Sequence, residues 1–273
     1  MITALSISVP EHKKGIKGIT DRLKKDRLNI EIKKARGVSL KHVTYTSYSG
    51  EVRLDKADRA VGSQRMQLLC SDKLIFPVKS GYRRFSSGDF SARLCTNMAL
   101  EVLKKCKRSV SLKVGIYDKT AVACDCLVNI LEYCSNVIVI TQSSTPYYYM
   151  AEKALNELGA TALITKSVAD ISNSDLVIAP TDIEEPLELR SDAVVLTVNP
   201  PKIKTGAAEY YRYNFRMPNG FDVIKPEELD EEYFCSALYT LGSQYELGSI
   251  VPLSCRNETV SQTVPSLCAA LEE

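Results

Sequence analysis

Between Leu112 and Asn199 the chain repeats one pattern: a short, continuous apolar run, then a longer segment whose apolar residues recur at helical spacing. The runs are SLKVGIYD (111–118), NVIVITQ (136–142), ATALITK (160–166), SDLVIAP (174–180) and DAVVLTVN (192–199). Runs this short, bounded by turn residues and rich in β-branched side chains, predict strands buried on both faces, as in a parallel sheet. The segments between them predict the crossovers. AVACDCLVNILEYC (121–134) reads as a helix with Asp118 or Thr120 as its cap, and YYYMAEKALNEL (147–158) as a helix opened by Pro146 and closed by Gly159. Only a short turn or helix fits between the third and fourth runs.

The expected fold class is therefore α/β: a Rossmann-like parallel sheet of about five strands flanked by helices, with strand order 3-2-1-4-5. A smaller α+β domain over residues 1–88 precedes it. There a basic helix is expected after Thr20 (DRLKKDRLN, 21–29), with strands at His42–Ser49, Glu51–Leu54 and Arg65–Val78. A connecting helix within residues 89–110 carries Ala92, Cys95, Ala99, Val102, Leu103 and Cys106 on one stripe. The Rossmann-like domain then runs over 111–248 and includes a last helix near 226–241 that returns to cover the sheet. The Ser-, Thr- and Pro-rich stretch 249–273 reads as a partly disordered tail.

Composition narrows the picture little. Apolar residues make up 45% and charged residues 25% of 273 positions, the proportions of a soluble globular protein. No apolar run approaches the ~20 residues that span a bilayer, and the first residues lack the basic start of a signal peptide. A cytoplasmic protein with no membrane partner is expected. Nine cysteines, several inside apolar patterns, read as buried reduced thiols, and no spacing among Cys and His suits a metal. Residues 13–36 hold ten Lys or Arg against three acidic residues, a local +7, so the remainder carries −5 within the total of +2. No nucleic-acid motif accompanies that charge, and a solvated face is the plainer account. Self-association into a homo-oligomer is left open.

Ligands of such sheets lie beyond the carboxyl ends of the strands. Candidates there are Tyr117, Asp118, Lys119 and Thr120 after the first strand, and Thr141 to Ser144 after the second, with Thr141 and Ser143 foremost. Thr165 and Lys166 follow the third strand, Thr181 and Asp182 the fourth, and Asn199 the fifth. Asp118 and Lys119 are weak candidates for an acid/base pair. The plainer alternative is that Asp118 or Thr120 caps the helix and Lys119 is solvated. A second constellation, GYRRFSSGDF (81–90), offers Arg83 and Arg84 ahead of a helix start and suits a phosphate or carboxylate, unless Asp89 simply caps that helix with the arginines paired to it. His12 and His42 lie near no nucleophile motif.

DLVIAP followed by Thr181 and Asp182, and DAVVLTVNPP after it, resemble the fourth and fifth strands of the cofactor domains of two-domain dehydrogenases such as shikimate and methylene-tetrahydrofolate dehydrogenase. The resemblance spans about ninety residues and concerns architecture; no catalytic residue of those families maps onto this chain. The first turn, Gly115-Ile116-Tyr117-Asp118-Lys119-Thr120-Ala121, also departs from the glycine-rich pattern that lets backbone approach a pyrophosphate. The second strand ends without the acidic residue that would grip a ribose. Ordinary NAD binding is disfavoured on both counts. The function expected is binding of a small anionic metabolite or nucleotide-like ligand in an interdomain cleft. The alternative is a non-catalytic interaction or regulatory protein with a degenerate cofactor domain; whether the chain is an enzyme stays open.

Overall fold

The computed structural model describes residues 1–10, 24–204 and 206–273. The chain divides into two compact units, Met1–Ser87 with Met217–Tyr245, and Gly88–Arg216 with Glu246–Glu273.

The larger, second unit holds the parallel sheet. Its strands are β4 (Lys113–Tyr117), β5 (Asn136–Ile140), β6 (Leu163–Thr165), β7 (Leu176–Ala179), β8 (Val194–Thr197) and β9 (Ala208–Tyr210). They lie in the order β6-β5-β4-β7-β8-β9, and every neighbouring pair is parallel. This is a Rossmann-like doubly wound sheet with six strands. The five apolar runs supply the first five in the expected order. The sixth, β9, comes from a stretch expected to be irregular, because three residues of which only Tyr210 is buried leave no apolar run to recognise.

Helices flank this sheet. α2 (Asp89–Lys105) places its apolar stripe against β7 and β8. α4 (Ser144–Leu158) ends at Gly159, whose left-handed backbone (φ 69°) lets its N–H bond to Leu155 O. The first crossover departs from expectation. Only Leu127–Leu131 of the predicted 121–134 helix is α-helical, as α3, after a 3-10 turn at Cys124–Cys126. Ala121 has φ 60°, a conformation no helix accommodates. Gly115 in β4 fills a tight place, since a Cβ there would come within 2.8 Å of Ile171 and 2.9 Å of Ser174.

The stretch expected to be a partly disordered tail forms β11 (Ser254–Arg256), β12 (Ser261–Thr263) and α6 (Val264–Glu272). With β10 (Arg212–Asn214) these strands make a small antiparallel sheet, and α6 packs on α2. Cys255 and Leu267 are buried in it. Such pairing across some forty residues of sequence is invisible to local composition.

The smaller unit is built on β1 (Ile2–Ser8), β2 (Arg27–Ala35) and β3 (Val38–Thr46), in the order β1-β3-β2. β1 is parallel and β2 antiparallel to β3. Here the expectations fare worse. Arg27–Asn29, assigned to a basic helix, belong to β2; Thr20, His12 and residues 21–23 lie outside the described residues. Glu51–Leu54 is not a strand, and Leu54–Val61 forms helix α1. Residues 65–78 contribute only isolated bridges at Leu68 and Leu69. The last helix, α5 (Glu231–Thr240), belongs to this unit rather than to the parallel sheet. Tyr233 on α5 lies against Phe85, with ring centroids 6.1 Å apart, and Ser236 donates to Ser87 O. The unit's core joins Leu5, Val43, Tyr45, Ala57, Ala60, Val61, Leu68 and Tyr82.

All nine cysteines are free thiols, and eight are buried. Burial raises the Cys70 thiol to about 11 and those of Cys95, Cys235 and Cys255 to about 12. They are therefore inert small apolar residues in their settings. Among the described residues, no helix is long and apolar enough to cross a membrane.

Candidate functional site

The carboxyl ends of β4, β5 and β6 are stitched together by backbone. Asp118 N–H donates to Ile140 O, Thr141 N–H to Thr165 O, and both Gln142 and Ser143 N–H to Lys119 O. The side chains of these turns therefore project from a rigid edge rather than from mobile loops.

Asp118 is fully buried and its carboxylate accepts three hydrogen bonds. It accepts from Val122 N–H at 3.2 Å, from Ala123 N–H at 2.9 Å and from the Tyr147 hydroxyl at 2.9 Å. These are the backbone donors that, in a dinucleotide-binding turn, face a phosphate. In this chain an internal carboxylate occupies them. The same contacts bend the chain through Ala121 and shorten the first crossover helix. Tyr147 is itself buried, and burial followed by the adjacent Asp118 charge pushes its phenol well above the ordinary tyrosine range, so it serves as a permanent donor.

Lys119 has different partners. Its ammonium lies 3.0 Å from Glu184 Oε2 and 3.1 Å from Glu185 Oε1, and 5.6 Å from the centre of the Tyr117 ring. The hydrogen bond to Glu184, then that to Tyr117, holds it well above the usual lysine value. Tyr117, buried at the end of β4, donates to Glu185 Oε1 at 3.3 Å, and its phenol is raised chiefly by burial. Asp118 and Lys119 thus face separate partners and do not form an acid/base pair with one another.

A cavity of about 380 Å³ opens at this edge, lined by Lys119, Ile140, Thr141, Gln142, Lys166 and Glu185. It brings together Lys119 and Thr141 from the foremost candidates, with Gln142 and Lys166. Tyr117, Asp118, Thr120 and Ser143 sit beside it without lining it. Thr141 Oγ1 accepts from Ser143 N–H, which helps set the entry to α4. Asp182 accepts a hydrogen bond from Asn199, and Thr181 Oγ1 is buried with no partner among the described residues. Sequence reasoning missed Glu184, Glu185 and Tyr147. The acidic pair lies in an irregular loop after β7, where no periodicity announces a contact, and Tyr147 in YYY carries no mark of its bond to Asp118.

Arg83 and Arg84 belong to the other unit. Arg84 Nε donates to Cys70 O at 3.0 Å, and its guanidinium lies 3.8 Å from the centre of the Tyr233 ring. That arginine is exposed, and its guanidinium is engaged by its own unit. Arg83 is exposed, its backbone N–H bonded to Arg65 O.

No protein-family model matches the chain, and no curated protein matches it. Among solved structures it is similar to the Δ1-pyrroline-2-carboxylate reductase of Thermococcus litoralis, solved with NADH and L-proline: 21% identity, 44% of this chain and 40% of that chain covered, TM-score 0.31. It is also similar to the L-tryptophan dehydrogenase of Nostoc punctiforme: 13% identity, 85% of this chain and 74% of that chain, TM-score 0.31. The chain thus spans 40% of the length of the first of these enzymes.

Proposed function

We propose that the chain is a cytoplasmic binding protein whose Rossmann-like unit takes a small anionic ligand, a carboxylate- or phosphate-bearing metabolite, at the carboxyl edge of the parallel sheet. The observation that carries this reading is the cavity at the ends of β4, β5 and β6, where Lys119 and Lys166 meet Thr141 and Gln142. Lys119 is already balanced by Glu184 and Glu185. Lys166 has no ion-pair partner among the described residues and is the charge available to a ligand. The anion is expected to sit by Lys166, with its polar groups on Thr141 and Gln142, rather than on the turn amides that Asp118 fills.

A second reading, a non-catalytic interaction or regulatory protein with a degenerate cofactor domain, is favoured by one observation: the amides of the phosphate turn are bound to the chain's own carboxylate. One screen separates the two. Thermal unfolding is followed with NAD(H), NADP(H), adenine and guanine nucleotides, S-adenosylmethionine and anionic metabolites. A ligand of the native state must raise the melting temperature. On the first reading one class does so, and Lys166→Ala weakens it about tenfold by calorimetric titration, the worth of one charge-assisted hydrogen bond. A folded protein indifferent to all of them sinks the first reading and supports the second.

A further inference from the structure

We infer that β2 is the dimerisation edge of this chain, and that two copies join by antiparallel pairing of their β2 strands into a continuous six-stranded sheet. β2 is nine residues long and regular, paired with β3 from Arg27↔Thr46 to Ala35↔Val38. It is the last strand of its sheet, and among the described residues no strand pairs its other edge. That edge presents a row of backbone donors and acceptors, a ready template for another strand.

The side chains add a second, independent mark. Leu28, Ile30 and Ile32 are 39%, 48% and 58% exposed. Leu28 and Ile30 stand opposite Tyr45 and Val43 of β3, on one face of the sheet, and both of those partners are fully buried. The unit's core cluster reaches Val43 and Tyr45 through Ala57, Ala60 and Val61 of α1 but includes no residue of β2. The apolar face of the sheet therefore runs past the helix that covers it. Pairing β2 with β2 about a two-fold axis normal to the sheet keeps both apolar rows on one side, where they extend each other.

Charge selects a second copy as the occupant. The other face of β2 carries Arg27, Asn29, Glu31 and Lys33. A two-fold register centred on Ile30 would oppose Arg27 with Lys33, and one centred on Glu31 would oppose two carboxylates. Like charges directly opposite are destabilising. A register centred on Asn29 instead pairs Arg27 with Glu31 twice and Leu28 with Ile30 twice. A register centred on Ile32 pairs Glu31 with Lys33 twice. The strand is thus self-complementary in two registers, both of which use Glu31.

Sedimentation velocity on the full chain over a concentration series tests the assembly. The wild type is expected to dimerise. Glu31→Lys should raise the dissociation constant about tenfold, as two attractive pairs become repulsive. A compensating change, Arg27→Glu or Lys33→Glu according to register, should restore dimerisation. Cysteine placed on the axis gives a direct readout, because opposed antiparallel residues lie within disulfide reach. Asn29→Cys or Ile32→Cys should cross-link on mild oxidation while the wild type, run alongside, does not. Circular dichroism of each variant guards against misfolding. A wild type that stays monomeric throughout overturns the proposal. So does a dimer indifferent to Glu31→Lys, or one that cross-links through neither position, since it would be held by another surface.

Discussion

The two sheets of this chain end in opposite ways. The parallel sheet closes on β6 and β9, each of three residues, so little unpaired backbone faces outward at either margin. The smaller sheet ends on β2, nine residues long with three half-exposed aliphatic side chains. Very short edge strands are a common device against unwanted pairing. One sheet uses it and the other leaves a long, self-complementary margin, so the same chain holds a sheet built to stop and a sheet built to continue.

Placing the same substitution in each sheet exposes the contrast most strongly. Ile116 in β4 is fully buried, and Ile116→Asp strands an unpaired carboxylate in the core. A loss of more than about 4 kcal/mol is expected, enough to abolish the cooperative unfolding transition of the larger unit in urea. Ile30→Asp in β2 should change the stability of dilute protein by less than about 0.5 kcal/mol. Equal losses at the two positions would mean that β2 is covered in the monomer and the contrast is false.

Asp118 sharpens the picture of the rigid edge. Asp118→Ala leaves two amides and the Tyr147 hydroxyl without their shared acceptor, for an expected cost of roughly 3 kcal/mol in chemical denaturation. Asp118→Asn, which keeps one acceptor oxygen, should cost about half as much. If both variants unfold like the wild type, the carboxylate does not organise the turn.

The smallest effect concerns the smaller unit alone. Asp26 accepts from Lys56 Nζ, the Tyr45 hydroxyl and Tyr48 N–H, and these contacts, the Lys56 bond first, hold its carboxyl at about 2. A carboxylate held below its unfolded value contributes stability above the unfolded value, and that contribution is lost as pH falls toward the folded value. The urea midpoint of the smaller unit should therefore drop as pH falls from about 4 to about 2. Asp26→Asn should flatten that part of the profile. An unchanged profile in the variant would assign the acid sensitivity elsewhere.

The contrast also explains what could be read from sequence. Strands buried on both faces, such as Leu176–Ala179 and Val194–Thr197, must be continuous apolar runs, and these were legible with their order. In β2 the alternation Leu28, Ile30, Ile32 is present, yet Arg27, Lys33 and Lys34 give the segment the look of a solvated basic helix. A half-covered edge strand carries charge where a core strand cannot. Within the site, Lys119, Thr141 and Lys166 were legible because a parallel sheet places its strand ends predictably. Glu185 and the Asp118–Tyr147 bond were not, since both depend on contacts between segments whose local patterns say nothing of each other. The 121–134 segment fails differently: its apolar period is helical, but Asp118, just before it, draws its first amides into a turn.

That turn can be described as an anion receptor whose guest is tethered. Because Asp118 is part of the chain, its effective concentration at the amides far exceeds that of any dissolved competitor, and salt has little purchase on it. Shortening the tether to nothing would empty the receptor. In Asp118→Gly, formate or acetate should bind the vacated amides and recover part of the lost stability, turning a structural turn into a saturable site.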